Sequence, residues 1–261
     1  MFIDSHCHID YVAQCDGAGA AADIIQRAQD AGVEHMLSVC IDLQQFHTLQ
    51  ALAAAHEAVS ISVGIHPTDV KQSPVVITDT LLELADNPHV VAFGETGLDY
   101  FRETESTHIE AQKQSFIAHI EAAKIARKPL IIHARDAFSD IFSLLKAHRA
   151  DTIGGVMHCF TGTLDEAKIA IDCGFDISFS GIVTFKNAKA LQAVAAALPL
   201  EHLLIETDSP YLAPMPFRGK TNEPSYVRYV AEQLAVLQGV SVEEVAKKTK
   251  ENFFRRFPVK R

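Results

Sequence analysis

Short apolar, β-branched runs alternate along the chain with longer stretches in which apolar residues recur every three or four positions. The runs predict strands at 2–9, 35–41, 59–66, 90–97, 129–135, 154–160, 175–182 and 202–207. The helical period predicts helices between them, among them 23–32, 46–56, 109–127, 139–149, 164–174 and 188–199. Two more, at 226–239 and 242–257, close the chain. Gly32, Gly174 and Gly239 fall just past helical stretches, where left-handed C-caps are expected. Strand–helix alternation calls for a parallel sheet, because a parallel neighbour is reached only through a long crossover. Eight such units in 261 residues predict a closed (β/α)8 TIM barrel of the α/β class. No GxGxxG follows the first strand, which weakens a nucleotide-binding open sheet. No composition break or Pro/Ser-rich linker divides the chain, so residues 1–261 are expected to form one domain.

Composition adds limits. Nearly half the residues are hydrophobic (48%), with 13 Gly and 10 Pro, as in a folded chain with a large core. No run of about 18 apolar residues predicts a membrane span. No basic segment leads into an apolar one at the N-terminus, so no secretory signal is visible. Five cysteines without a CxxC pair suit a reduced, cytoplasmic protein rather than a disulfide framework. A monomer is the default expectation. The net charge of -10 argues against a broad basic face that wraps a long polyanion. It leaves room for a nucleic-acid end in a cleft where bound cations supply the positive charge.

The chemistry gathers at predicted strand ends. The chain opens MFIDSHCHID. Strand parity puts Asp4, His6, His8 and Asp10 on one face, and Ser5, Cys7 and Ile9 on the other, toward the helices. His6 and His8 are thus paired to grip one ion, and Cys7 is on the wrong face. Asp10 lies beyond the strand end. An isolated HxH is weak, but the pattern recurs: Glu95 follows VVAFG, His133 follows LII, His158 follows GVM, and Glu206 and Asp208 end LLIETD. Singly, each is as well read as a core histidine or a helix cap. Jointly, ionisable groups after apolar runs would be costly if buried alone, and a shared cation offsets that cost. The C-terminal strand ends of this barrel are where catalytic groups collect.

Imidazoles and carboxylates without thiolate suit Mg, Mn or Zn. Six ligands exceed what one tetrahedral catalytic zinc takes, so two bridged divalent ions fit better. Glu95 is then the natural bridge, with His6, His8 and Asp208 on one ion and His133 and His158 on the other.

The motifs DSHCHID, GIHP, GETGLDY, HARD, HCFTG, SFSGIVTF and ETDSPYLAP, in this order over residues 4–214, resemble the TatD family of metal-dependent deoxyribonucleases, within the amidohydrolase-like barrels. The resemblance implies a TIM barrel, two divalent metals and hydrolysis of DNA phosphodiester bonds, often from 3′ ends of single strands. It maps the metal ligands onto His6, His8, Glu95, His133, His158 and Asp208, the set reached from the residues alone. Glu95 stands where many amidohydrolase relatives carry a carboxylated lysine.

Around these, Asp208 is a candidate base that both holds metal and takes a proton from water. His66 in VGIHP is a candidate contact to a phosphate oxygen or leaving group. Arg135 can meet a phosphate through its fork. Asp99, Glu206 and Asp4 are candidates to orient ligands. Arg218 and Lys220, beside Phe217 and Asn222 after the last strand, and Tyr100, Phe101 and Arg102 on the opposite rim, combine charge with aromatic surface. Two rivals stay open. One is a metal-dependent hydrolase of a small amide, lactone or phosphoester. The other is a non-catalytic scaffold with a structural metal, which ligands with open positions at a barrel mouth disfavour.

Overall fold

The computed structural model describes residues 1–70 and 78–259. Eight parallel strands form one sheet in the order of the sequence. They are β1 (Phe2–Cys7), β2 (Val33–Ser38), β3 (Val59–Val63), β4 (Val90–Asp99), β5 (Leu130–Arg135), β6 (Gly155–Met157), β7 (Phe175–Phe179) and β8 (Leu203–Ile205). The helices are α1 (Ile9–Val12), α2 (Ala21–Asp30), α3 (Phe46–Ala55), α4 (Thr78–Ala85) and α5 (Ser106–Ala126). They continue as α6 (Phe138–Ala147), α7 (Leu164–Asp172), α8 (Lys189–Ala197), α9 (Val227–Gln238) and α10 (Val242–Arg256). This is the (β/α)8 barrel that the alternation predicts. Gly32, Gly174 and Gly239 have φ of 86°, 86° and 68°, as expected of left-handed caps.

The barrel closes without a β1–β8 ladder. The chain just past β8 makes the seam instead: Asp208 N–H donates to the His6 carbonyl, and His8 N–H to the Ser209 carbonyl, both at 2.9 Å. β6 and β8 are each three residues long, shorter than the apolar runs suggest, because the chain leaves the ladder before His158 and Glu206. His158, Glu206 and Asp208 therefore sit just past strand ends, whereas His6, Glu95 and His133 lie within β1, β4 and β5.

Two apolar layers hold the fold. Strand residues facing outward pack against the helices, with Phe93, Phe116, Phe175 and Phe179 fully buried there. Ile3, Leu37, Val91, Ile131, Val156 and Leu204 come from six strands and meet inside the barrel. Phe253 of α10 and Phe257 just past its end plug that inner layer from below. Asp176 ties the plug down, accepting from Arg256 Nε at 2.9 Å and Arg255 Nη2 at 3.1 Å.

Strand parity on β1 needs correction. Asp4 pairs with Met36 and Cys7 with Ser38, so three steps on β1 oppose two on β2. This extra residue is a bulge, and it switches which face the side chains take. Ile3 belongs to the inner layer and Cys7 to the helix-side layer, although simple alternation would put them together. Ser5 donates to the Ile205 carbonyl at 3.0 Å and meets Ser178 Oγ at 3.2 Å. Asp4 is turned away from the histidine rings, although its Oδ1 accepts from His6 N–H at 3.4 Å. It accepts from Thr207 N–H at 2.9 Å and Thr207 Oγ1 at 2.6 Å, clamping β1 to the segment after β8. Burial pushes its pKa up to about 8 against those hydrogen bonds.

Candidate metal centre

The bulge that displaces Asp4 brings His6 and His8 to the mouth, with their Nε2 atoms 3.3 Å apart. Glu95 enters from β4 and divides its two oxygens. Oε2 lies 3.3 Å from His6 Nε2 and 3.8 Å from His8 Nε2. Oε1 lies 2.8 Å from His158 Nε2, 3.0 Å from His133 Nδ1 and 3.4 Å from His66 Nε2. Asp208 completes the first side, its Oδ1 3.5 Å from His8 and 3.7 Å from His6. Asp208 has φ 56°, a left-handed conformation that aspartate tolerates better than most residues. Glu95 is flanked by two glycines that the packing requires. Gly94 and Gly97 have φ of 142° and 133°, and a Cβ on Gly97 would run into the His133 carbonyl oxygen.

Outer partners orient the rings. His8 Nδ1 faces the Val39 carbonyl at 3.0 Å, His158 Nδ1 faces Glu206 Oε1 at 3.2 Å, and His133 Nε2 faces Asp99 Oδ2 at 3.1 Å. Each ring can thus donate one N–H outward and turn its other nitrogen toward the centre. Glu206 also accepts from Cys159 N–H at 2.7 Å. His66 is different. Its Nδ1 accepts from Thr68 N–H at 3.2 Å, so the proton of the neutral ring sits on Nε2, which faces Glu95.

The charges interlock. Burial opposes ionisation of Glu95, but His158, His66 and His133 outweigh it and hold Glu95 well below the usual carboxylate range. Burial likewise works against protonation of His158, His133 and His8, yet the carboxylates beside them raise all three. Burial lowers His6 and His66. Asp208 is lowered by His8 and its neighbours despite burial.

Metal is tested by these atoms. His158 Nε2 is buried without a hydrogen-bond partner although a carboxylate oxygen is close by. Three sets of donor atoms are spaced to share a cation: His6, His8 and Asp208; His6, Glu95 and His158; His66, Glu95 and His133. The donors suit Mg, Mn or Zn. The family model for the TatD-related DNases matches residues 3–258. The chain belongs to this family.

As a TatD-family protein it is a metal-dependent hydrolase. The metal-dependent hydrolase YcfH of Escherichia coli K12 is 44% identical over 259 residues, covering 99% of this chain and 96% of the relative. A relative from Pantoea vagans named a 3′-5′ ssDNA/RNA exonuclease, TatD, is 33% identical over 235 residues, 88% of this chain and 90% of that one. The crystal structure of the Escherichia coli TatD homologue YjjV superposes with a TM-score of 0.87 at 29% identity, covering 99% and 98% of the two chains.

All six expected ligands, His6, His8, Glu95, His133, His158 and Asp208, come together, but His158 groups with His6 and Glu95, the two imidazole rings 3.8 Å apart, rather than with His133, whose ring is 5.8 Å away. His66, expected outside the ligand set, stands at hydrogen-bonding distance from it. A cavity of about 700 Å³ opens over the centre. Arg135 and Arg102 border it. Arg218 and Lys220 do not. Arg218 stacks over Phe185 at 4.4 Å, and Lys220 lies 5.8 Å from the Phe217 ring centre. Asn222 is fully buried, donating to the Thr207 and Tyr211 carbonyls at 2.8 and 2.6 Å. Asp10 is buried in α1. The Val39 carbonyl and Cys159 N–H were invisible in the sequence because they are backbone groups. Tyr211, three residues after Asp208, also borders the cavity. No described helix is long and apolar enough to cross a membrane.

Proposed function

We propose that this chain uses two divalent cations to hydrolyse phosphodiester bonds of DNA, removing nucleotides from the 3′ ends of single strands. The observation that carries the two-cation reading is Glu95, with one oxygen toward His6, His8 and Asp208 and the other toward His133 and His158. The name of the Pantoea vagans relative supports a single-stranded nucleic acid as substrate. Divalent ions held here would make water nucleophilic near neutral pH and neutralise charge on the phosphate oxygens. The remaining work falls to the protein. Asp208 has the most open carboxylate of the centre, its side chain 15% exposed against 4% for Glu95, and takes the proton of the attacking water. His66 presents Nε2–H to a non-bridging or leaving oxygen. Arg135 and Arg102 hold backbone phosphate at the cavity wall. Glu206 and Asp99 fix the His158 and His133 rings.

A second reading, hydrolysis of a small amide, lactone or phosphoester, is favoured by the charge of -10 and by a cavity whose described wall carries two arginines and no lysine. One experiment separates them. Metal-stripped protein is reconstituted with Mg, Mn or Zn and given labelled single- and double-stranded DNA, RNA, and small phosphoesters and amides. Metal-dependent ladders shortening from the 3′ end are expected. Intact DNA alongside fast amide turnover would reverse the ranking. Asp208→Asn should cut turnover far more than metal content. Equal loss of both would remove the base role.

A further inference from the structure

Phe101 and Tyr211 are the two strongly exposed aromatic rings among the described residues, at 60% and 54% of their surface. Exposed aromatic rings beside a cavity offer flat apolar surface of the kind enriched at binding interfaces. Tyr211 lines the cavity over the metal centre, and Phe101 reaches its rim through Arg135. Phe101 carries the Arg135 guanidinium, 3.9 Å above its centre, and Arg135 borders the same cavity, as does Arg102.

Both rings are held on rigid backbone that descends from the centre itself. Tyr211 N–H donates to the Asp208 carbonyl at 3.0 Å, and its own carbonyl accepts from buried Asn222 at 2.6 Å. Phe101 lies in the turn closed by Asp99, whose Oδ1 accepts from Arg102 N–H at 2.8 Å while Oδ2 faces His133. Each ring is thus two or three residues beyond a carboxylate of the metal centre. A rigid ring binds a planar ligand at low entropic cost. Flat aromatic surface beside two guanidinium groups matches a ligand with alternating π-faces and phosphates.

We propose that Phe101 and Tyr211 are two stacking platforms for the bases of a single strand, with Arg135 and Arg102 taking the phosphates between them. This rests on the nucleic-acid reading of the same site. It adds that the ligand is recognised through unpaired bases, since a base inside a duplex presents no free face to a ring. Stacking is tolerant of base identity, so the platforms select single strands without selecting sequence.

The test uses the metal-loaded enzyme and an oligothymidylate whose 3′ linkages are phosphorothioates, with binding followed by fluorescence anisotropy. A parallel series measures kcat and KM on the ordinary strand. Phe101→Ala and Tyr211→Ala should each weaken binding about 5- to 100-fold and raise KM rather than lower kcat. Tyr211→Phe and Phe101→Tyr, which keep the ring, should restore wild-type affinity. Abasic residues at the strand end should weaken wild-type binding similarly, and the abasic strand combined with an alanine variant should lose no more than either alone. DNA hydrolysis with less than twofold loss in both alanine variants overturns the platforms and leaves the nuclease reading standing. Ring-dependent binding with no hydrolysis under any metal supports the platforms and removes the nuclease reading. A wild-type enzyme that neither binds nor cleaves single strands overturns both.

Discussion

Replacing Glu206 isolates what a group outside the ligand set contributes to the centre. Glu206 is fully buried, and its Oε1 takes both Cys159 N–H at 2.7 Å and the His158 Nδ1 at 3.2 Å. Its Oε2 is buried without a partner. A glutamine in the same rotamer keeps one carbonyl oxygen for both contacts and removes the charge. Glu206→Gln therefore tests electrostatics at nearly constant shape. An outer acceptor of a metal-bound histidine is worth about 10- to 100-fold in affinity or activity, or about 1.4–2.7 kcal/mol. The glutamine, which retains the hydrogen bonds, should fall near the lower end. Glu206→Ala removes the acceptor too, leaving Cys159 N–H and His158 unpaired. It should reach about 100-fold and lose about 1–3 kcal/mol of folding stability as well. The assays are metal titration by calorimetry, turnover at saturating metal, and urea unfolding of the metal-free protein. Affinity within twofold of wild type for Glu206→Gln would show that the Glu206 charge contributes nothing to metal binding. Equal destabilisation of the metal-free protein by both variants would make Glu206 a packing group.

Three further outcomes follow from the same geometry. The carboxylates beside His8, His133 and His158 outweigh burial and raise all three above the usual imidazole value, so a cation bound there competes with protons. Affinity should fall about tenfold per pH unit for each proton displaced as pH drops. Calorimetry in two buffers at pH 7 should show net proton release, and none would contradict the charge assignment. His119 is fully buried, accepts from Ile65 N–H and donates to the Ser115 carbonyl, and burial pushes its pKa down to about 4. Its unfolded form titrates near 6.5, so its neutral-state stability is complete above that pH. That stability is lost by about 3 kcal/mol as pH falls toward 4. Urea unfolding should show a shallower acid decline in His119→Asn, and an unchanged slope would count against it. Phe253→Ala should cost about 3–5 kcal/mol in urea unfolding, because it opens the floor of the inner layer. A loss below 1 kcal/mol would mean that α10 is not a plug.

The barrel was legible because its strands are apolar on both faces and its helices keep their period, so the alternation is written in local sequence. The six convergent groups were legible for the same reason, each standing just after an apolar run. Legibility failed where one residue changed the count. The bulge between Asp4 and Cys7 carries no turn signal, and by adding one residue it moved Asp4 off the ligand face. It also failed where partners are distant in sequence. Asp99 reads as an orienting group, but nothing near it says that His133 is the ring it serves, and the loop holding Arg218 reads as a cavity wall until its guanidinium is seen stacked on Phe185. His66 read as lying outside the ligand set, and the proton on its Nε2 gives a physical reason for its separate role. That reason needed Thr68 in place.

In the proposed two-cation site Glu95 shares its oxygens between the two ions. Anomalous diffraction from crystals of the manganese-loaded protein tests this sharing most directly. Two peaks are expected on opposite sides of the Glu95 carboxylate, one beside His6, His8 and Asp208 and the other beside His133 and His158. A single peak, or two peaks neither of which touches Glu95, would contradict it.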